Sequence, residues 1–296
     1  MTRRAVALVV IILFIVAAFP MLRGGGSDSR ASGVVAGRVH ETFQPNDGKI
    51  YILVLGSDAR HGNPQRARSD AIHIVGINAE TMRGGILNFP RDSWVDIPGY
   101  GSAKINEAME RGGPQLLART LEKLTGIRLD YWVLTGFEGF EGLIRRIGNV
   151  PITLKRDIYD PGGSGARLKA GRRRLPSWRA LAYVRTRKVF KDGDIARTSN
   201  QARFLLQMLK LLNKQVERDP SAVFKWIAAG REFTDLNISA DELFRLSVLA
   251  TQVDVSRIGN VTVPVSIGSI GASSVVFISP RATALYSRFR EKASLR

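Results

Sequence analysis

Two aspartates lie beside predicted strands in a way that suits phosphate chemistry. Asp58 follows the apolar run Lys49–Gly56, and Asp70 precedes the apolar run Ala71–Asn78. Each run predicts a strand, so both carboxylates should lie at one end of a sheet, where ligand sites collect in open α/β folds. Two carboxylates there fit Mg²⁺, which prefers oxygen ligands and usually keeps water and phosphate in its other positions.

Arginines next to apolar segments add a second element of that chemistry. Arg91 and Asp92 follow a third predicted strand, Arg185 and Arg187 lie in the string AYVRTR, and Arg197 follows a Gly-Asp pair. A guanidinium near a core needs an anionic partner, and its fork geometry fits a phosphate. Carboxylates for a metal with arginines for phosphate oxygens are what phosphoryl transfer requires. Surface ion pairs among the same groups are the competing interpretation.

Strands and helices interleave along the chain, which predicts an α/β fold with a sheet covered by helices. The strings DYWVLTG, VPITLKRDIYD and GNVTVPVS indicate further strands. Helices are predicted at Gly113–Gly126, in FEGFEGLIRRIG, at Pro176–Arg187 and at Thr198–Glu217, with two more in DPSAVFKWIAAG and SADELFRLSVLATQV.

The N-terminus predicts export of everything behind it. Residues 5–22 hold no charged residue and, as a helix, would span about 27 Å, close to the thickness of a bilayer core. Arg3 and Arg4 precede them, so residues 1–4 are expected in the cytoplasm and 5–22 as a transmembrane signal-anchor. A cleaved signal peptide is the alternative. Residues 23–48 are predicted as a flexible linker and 49–296 as an extracytoplasmic domain.

The chain is strongly basic, with a formal net charge of +18 and no cysteine. Residues 155–203 alone carry fourteen Lys or Arg against four Asp. Such a balance implies an anionic partner, which can be nucleic acid, anionic lipid or a phosphorylated substrate. The run Arg172–Arg174 is interpreted as a solvated face. The absence of cysteine excludes disulfide and thiol chemistry.

Several motifs in order, between Ile50 and Leu212, closely resemble the LytR-CpsA-Psr family of cell-wall glycopolymer ligases. They are LGSDAR, RSDAI, NFPRDSW, GYGSAKINEA, DYWVLTGFEGF, ALAYVRTRK and GDIARTSNQ. The resemblance implies a central mixed β-sheet flanked by helices in three α-β-α layers, with an N-terminal membrane anchor. It also implies a phosphotransferase that takes a glycopolymer from a polyprenyl (undecaprenyl) pyrophosphate carrier and joins it through a phosphodiester to peptidoglycan. A pyrophosphatase side activity is implied as well. Lipid-linked polymer, peptidoglycan and membrane are the implied partners, without nucleic acid.

The resemblance also implies roles for individual residues. Asp58 and Asp70 correspond to ligands of Mg²⁺, for which Mn²⁺ is an alternative. The pyrophosphate-binding set corresponds to Arg68, Arg91, Arg185, Arg187, Arg197 and Gln201. Asp92 and Asp194 receive supporting roles, and Asp92 joins Arg91, Arg185, Arg187 and Arg197 in the expected catalytic set. The base that deprotonates the acceptor hydroxyl is left unnamed.

The sequence departs from the family pattern at three positions. Ala71 stands where a threonine is frequent, and Asn200 and Ala202 stand where the family usually has Arg and Gln. The missing arginine is expected to alter phosphate affinity or acceptor choice. Two alternatives stay open: a basic nucleic-acid-binding transcriptional regulator, and a non-catalytic wall-binding relative.

Three further features carry open or minor predictions. Helices between Leu116 and Leu143, and over Phe204–Leu212, are expected either to line a channel for a lipid tail or to pack as ordinary core. The three histidines are too scattered to bind a metal together, and His73 is interpreted as structural. Arg60 and Arg66 are interpreted as part of a solvated loop.

Overall fold

Six strands form one mixed sheet at the centre of the chain. The computed structural model describes residues 34–38, 48–59, 63–190, 192–232 and 240–296. Numbered along the chain, the strands lie in the order β1 (Val34–Arg38), β7 (Tyr131–Thr135), β2 (Lys49–Ser57), β3 (Ser69–Asn78), β4 (Arg83–Asn88) and β12 (Ile258–Thr262). β7 is parallel to β2 and β4 to β12, whereas the other neighbours are antiparallel. The predicted mixed sheet is confirmed.

Among the described residues, eight shorter strands form four two-stranded units around this sheet. They pair as β5 (Trp94–Ile97) with β6 (Gly101–Lys104), β8 (Val150–Leu154) with β11 (Gly171–Leu175), β9 (Ile158–Asp160) with β10 (Ala166–Leu168), and β13 (Val265–Ile270) with β14 (Ser273–Ile278). Glycines with positive φ, at which a side chain would be strained, occur in three of the turns, at Gly99, Gly165 and Gly271. Most of these units were not predicted, because their strands are only three to six residues long.

Seven helices lie within the described residues. They are α1 (Ile105–Thr125), α2 (Phe137–Ile147), α3 (Ser177–Arg185), α4 (Gly193–Arg218), α5 (Ala222–Glu232), α6 (Ala240–Gln252) and α7 (Ala282–Lys292). α1 ends where predicted, because Gly126 adopts φ +68° and its N–H caps the Glu122 carbonyl. It begins earlier than predicted and is kinked at Gly112 and Gly113, just before Pro114.

Helices cover both faces of the sheet, which confirms the predicted layering. Leu53, Leu55, Ile72 and Ile74 alternate along β2 and β3 and pack in one core with α1 and α7. Residues of the opposite face, including Ile77, pack against α4. A separate apolar cluster joins α2, α3 and the short strands β8–β11 to α4 and α5.

The N-terminal part of the chain differs from the prediction at one strand. Within the segment predicted as a linker, Val34–Arg38 pairs antiparallel with Tyr131–Thr135 as β1. The pairing satisfies an edge row of backbone groups on β7 that would otherwise be open. The predicted signal-anchor at 5–22 lies outside the described residues. In the part of the chain that the structure describes, no helix is both long and apolar enough to cross a membrane.

Candidate active site

A β-bulge places Asp70 at the end of the central sheet. Gly56 pairs with Ala71 and Ser57 pairs with Ser69, so Asp70 is the extra residue between them. A bulge re-aims its unpaired residue away from the ladder, and bulges are common beside active sites. The loop is closed by the Asp58 amide, which donates to the Arg68 carbonyl at 3.0 Å. Both predicted metal ligands therefore lie at the same sheet end.

The Asp70 carboxylate is held between two arginines from different elements. Arg91 Nη1 donates to Asp70 Oδ1 at 2.5 Å, and Arg197 Nη1 lies 3.3 Å from Oδ2. Arg197 Nη2 is 2.7 Å from Asp194 Oδ1, one turn earlier on α4. Arg197 is only 3% exposed. Burial lowers the pKa of this guanidinium, although the Asp70 and Asp194 charges oppose that effect.

The same network extends through Arg91 to the start of α1. Arg91 Nε lies 3.6 Å from Asp194 Oδ1 and 3.7 Å from Asp92 Oδ2, while Lys104 Nζ lies 3.2 Å from Asp92 Oδ1. Burial acts to lower the pKa of Arg91, but the neighbouring carboxylates of Asp70 and Asp194 outweigh it and raise that pKa. The structure thus brings together Asp70, Arg91, Asp92, Asp194 and Arg197.

Two guanidinium nitrogens in this network still have donor capacity. The Nε atoms of Arg91 and Arg197 are buried and make no hydrogen bond within the described residues. A buried donor without an acceptor is unfavourable by about 1–3 kcal/mol, more when charged. An anionic ligand that accepted these hydrogen bonds would remove that cost.

Asp58 experiences both burial and the charge of Asp70. Its pKa is raised, first by burial and then by repulsion from Asp70, with Arg91 and Arg68 opposing the shift. Two like charges that face each other favour either a shared proton or a bound cation. An oxygen-only pair of this kind fits Mg²⁺ or Mn²⁺ that takes its remaining ligands from water and phosphate. Within the described residues, no group of three or more His, Cys, Asp or Glu side chains is arranged to hold a metal.

The other predicted arginines lie at the margin of the network. Arg68 Nε donates to Glu110 Oε2 on α1 at 2.9 Å, and about half of each side chain is exposed. Arg185, at the end of α3, stacks its guanidinium 4.6 Å from the centre of the Phe137 ring. Arg187 is exposed, and its charge contributes to the lowered pKa of Arg197. These three arginines are close enough to extend a positive rim, but none is bonded to Asp70.

A buried amide network supports the bulge from behind. Gln201 Nε2 donates to the Val184 carbonyl at 3.1 Å and lies 3.5 Å from the Asp70 carbonyl. His73 Nδ1 lies 2.8 Å from Asn88 Oδ1. Burial lowers the pKa of His73 to about 4, which keeps the ring neutral, in line with the structural role predicted for it.

An apolar cavity opens on this cluster between the sheet and α2, α3 and α4. Its apolar wall includes Phe137, Phe140, Leu181, Val184, Phe204 and Leu205. Asp70, Arg185, Arg197 and Gln201 line the same cavity. The cavity therefore combines an apolar wall with charged groups. Of the helices expected to line a lipid channel, α1 does not contribute, because its leucines pack in the sheet core.

Three departures from the family pattern occupy different surroundings. Ala71 lines the apolar cavity opposite Gly56. Ala202 is fully buried and packs against the sheet. Asn200 lines a different groove, on the other side of α4. Asn200 does not line the apolar cavity that Asp70 and Arg197 share, because successive helix residues point about 100° apart. That the missing arginine alters phosphate affinity or acceptor choice stays a prediction.

Sequence reasoning missed two residues that complete the network. Lys104 pairs with Asp92, and Glu110 holds Arg68. Lys104 lies inside the motif GYGSAKINEA, but its position depends on the β5–β6 hairpin, which returns the chain to Asp92. The start of α1 is held next to the Arg91–Ser93 segment, because the amides of Ile105 and Asn106 donate to the carbonyls of Ser93 and Arg91.

Comparison with known sequences gives a family match over most of the chain. The model of the LytR_cpsA_psr family matches residues 26–290. Regulatory protein MsrR of Staphylococcus aureus (strain COL) is 33% identical over 234 residues, which cover 77% of this chain and 69% of the relative. Polyisoprenyl-teichoic acid–peptidoglycan teichoic acid transferase TagT of Bacillus subtilis (strain 168) is 36% identical over 171 residues, 55% of this chain and 52% of the relative.

Solved structures share the fold. The crystal structure of B. subtilis TagV superposes with a TM-score of 0.72 at 22% identity and covers 83% of this chain and 97% of TagV. A structure of TagT with bound octaprenyl pyrophosphate lipid has a TM-score of 0.64 at 21% identity, over 91% and 99% of the two chains. Identities this low support the fold alone. Together with the family match, they confirm the resemblance drawn from the motifs.

Proposed function

Since the chain belongs to the LytR_cpsA_psr family, we propose that it transfers a glycopolymer from a polyprenyl pyrophosphate carrier to peptidoglycan. The observation that carries the proposal is the cavity whose apolar wall ends at Asp70, Arg185 and Arg197. An isoprenoid chain needs an apolar wall, and its pyrophosphate needs buried cationic donors. TagT, a relative, is named as a teichoic acid transferase and is known with a polyprenyl pyrophosphate bound.

The proposed reaction exchanges one P–O bond for another. The acceptor hydroxyl oxygen attacks the phosphorus that carries the polymer, and the bond from that phosphorus to the bridging oxygen breaks. The products are a polymer–acceptor phosphodiester and polyprenyl phosphate, and the hydroxyl proton leaves to a base or to solvent. In this proposal Arg91 and Arg197 donate to phosphate oxygens, and the buried Nε of each makes no hydrogen bond within the described residues.

Asp58 and Asp70 would hold the Mg²⁺ of the proposed enzyme, which would neutralise charge on the pyrophosphate. The Asp70 carboxylate is oriented by Arg91 and Arg197, so this ligand is preorganised before substrate arrives. Asp194 is positioned to hold Arg197 and Arg91 rather than to contact substrate.

A turnover assay tests this proposal. The Arg91→Ala variant should release polyprenyl phosphate from a lipid-linked polymer analogue about 10²–10³-fold more slowly, as for loss of a donor that stabilises transition-state charge. Arg119→Ala is the matched control, because Arg119 is exposed in the middle of α1. We expect this control to remain within about twofold of wild type. Equal rates for Arg91→Ala and wild type would rule out the assigned site.

Localisation belongs to the same proposal. We place the catalytic domain outside the cytoplasmic membrane, anchored through residues 5–22, because wall polymer is assembled there. A reporter active only outside the cytoplasm, fused after Arg296, should be active. An active cytoplasmic reporter would instead favour a nucleic-acid-binding regulator, to which the net charge of +18 and the name of MsrR point.

A further inference from the structure

A second groove runs along the side of α4 that faces away from the apolar cavity. Its volume is about 720 Å³, and it is formed by β8, the start of the loop after it, α3 and α4. Its charged and polar lining includes Lys155, Arg156, Asp192, Ser199, Asn200 and Arg203. None of these residues belongs to the Asp70 network.

The two hollows share α4 as a common wall. Arg197, Gln201, Phe204 and Leu205 repeat at helical spacing and line the apolar cavity. Ala196, Asn200, Arg203 and Gln207 repeat at the same spacing and line the groove. α3 is divided in the same way, with Val184 on the cavity and Tyr183 on the groove. A ligand in the groove would thus lie one helix width from the phosphate site.

The groove is cationic with aromatic walls. Among the described residues that line the groove, Lys155, Arg156 and Arg203 are accompanied by one acid, Asp192. The Arg156 guanidinium lies 4.9 Å from the centre of the Phe190 ring, which holds the cation in place. Burial raises the pKa of Tyr183 to about 12, so its hydroxyl stays protonated although Arg203 opposes the shift. The groove therefore suits an anion with apolar surface.

Asn200 supplies an independent indication of a ligand. Its side chain is 6% exposed, and its Nδ2 is buried without a hydrogen-bond partner in the described residues. A buried amide donor left unsatisfied lowers the stability of the folded state. A ligand oxygen in the groove would satisfy it.

We propose that this groove binds an anionic saccharide, with sugar hydroxyls on Asn200 and Ser199 and carboxylate or phosphate groups on Arg156 and Arg203. The inference rests on the proposed function, because a transfer between two glycans requires a second saccharide near the phosphate site. The same chemistry has two sources: the phosphate-bearing polymer of the donor, and the carboxylate-bearing glycan of the wall acceptor.

Binding calorimetry with defined probes tests the groove. The probes are a muropeptide disaccharide, a glycerol phosphate oligomer and the neutral oligosaccharide chitotetraose. We expect at least one acidic probe to bind and the neutral probe to bind at least tenfold more weakly. Arg203→Gln and Asn200→Ala should each weaken the acidic probe at least fivefold. Arg218→Gln, the same change near the end of α4, should stay within twofold.

The outcome also identifies the source of the saccharide. Binding of the muropeptide alone assigns the groove to the acceptor, and binding of the glycerol phosphate oligomer alone assigns it to the donor polymer. Binding that is unchanged in both groove variants, or no binding of either acidic probe, overturns the inference. Asn200→Ala should leave the melting temperature unchanged or raise it, whereas an amide with a purely structural role would lower it.

Farnesyl pyrophosphate separates this inference from the proposed function. Wild type, Arg203→Gln and Asn200→Ala should bind this short carrier analogue equally, because the groove residues do not line the apolar cavity. If wild type does not bind farnesyl pyrophosphate, that result would count against the proposed function alone. Retained farnesyl pyrophosphate binding with no saccharide binding would count against the groove alone.

Discussion

Arg197 and Arg203 lie six residues apart on α4 and have opposite surroundings. Arg197 is almost fully buried and lies within 3.3 Å of oxygens on both Asp70 and Asp194. Arg203 is exposed and lines a groove in which cations outnumber acids. Buried charges that are already paired hold their geometry without a ligand, whereas exposed charges attract one through the solvent.

The two sides of α4 therefore suit different tasks: one holds charged groups in position, and the other attracts a charged ligand. The apolar-cavity side of α4 fixes charged groups before any substrate arrives, which suits stabilisation of a transition state. The groove side leaves cations in solvent, which suits capture of a charged polymer.

The largest expected contrast is in stability. Arg197→Met should lower the free energy of unfolding by about 3–5 kcal/mol, because it removes the buried guanidinium that, together with Arg91, offsets the carboxylate charges of Asp70 and Asp194. Arg203→Met should change it by no more than about 0.5 kcal/mol, as for an exposed site. Chemical denaturation at neutral pH measures both. Equal losses in the two variants would contradict the contrast.

The cavity side should also make folding sensitive to acid through His73. Its folded pKa, lowered to about 4 by burial, lies below the ordinary value of about 6.5. The unfolded chain therefore binds more protons between these values. The contribution of neutral His73 to the free energy of unfolding is fully present above about pH 6.5. It falls by up to about 3 kcal/mol as the pH drops to 4.

His73→Gln tests that pH dependence, since Gln retains a donor for Asn88 Oδ1 but cannot titrate. The difference in unfolding free energy between variant and wild type should shift in favour of the variant as pH falls from 6.5 to 4. A difference that is constant over this range would show that His73 titrates in the folded protein as it does in the unfolded chain. Urea titrations at half-unit pH steps would measure it.

Salt should distinguish binding on the two sides of α4. Raising ionic strength from 0.01 M to 0.3 M should weaken an acidic saccharide probe roughly five- to tenfold, since the groove cations are solvated. Farnesyl pyrophosphate, whose head group we place on buried arginines and whose tail on apolar side chains, should weaken by about twofold or less. Equal salt slopes for the two ligands would remove the distinction.

The smallest expected effect is a gain in stability at the phosphate site. Asp58→Asn removes a carboxylate whose pKa is raised by burial and by Asp70. A raised acid pKa means that the ionised form destabilises the fold as pH rises through that value. The variant should melt roughly 1–3 °C higher at pH 7, and this gain should vanish toward pH 4. Turnover should fall in the same variant.

Much of the fold follows from patterns that are local in sequence. Long apolar runs predicted β2 and β3, and glycine stops predicted the ends of α1 and α2. Most of the short strand pairs were missed because three to six residues carry too little periodicity. Their pairing depends on tertiary contacts, as in β6, which sets Lys104 against Asp92.

The residues of the candidate site were predictable from the sequence, but the contacts between them were not. Strand ends indicated Asp58 and Asp70 as neighbours, and family motifs indicated the arginines. No sequence pattern indicates that Asp70 is a bulge residue, because the bulge appears only in the register between β2 and β3. Helical phase on α4 does follow from sequence, and it would have placed Asn200 away from Gln201.

The phase of α4 has a consequence for how such a protein can diverge. Residues 200, 201 and 202 face, in turn, the groove, the phosphate network and the sheet core. Substitutions on the groove side can alter which polymer is captured while the phosphate network stays intact. A one-residue insertion ahead of Arg197 would rotate all three environments at once. Point substitutions along this helix can therefore change specificity, whereas insertions or deletions would disrupt the phosphate network and the core as well.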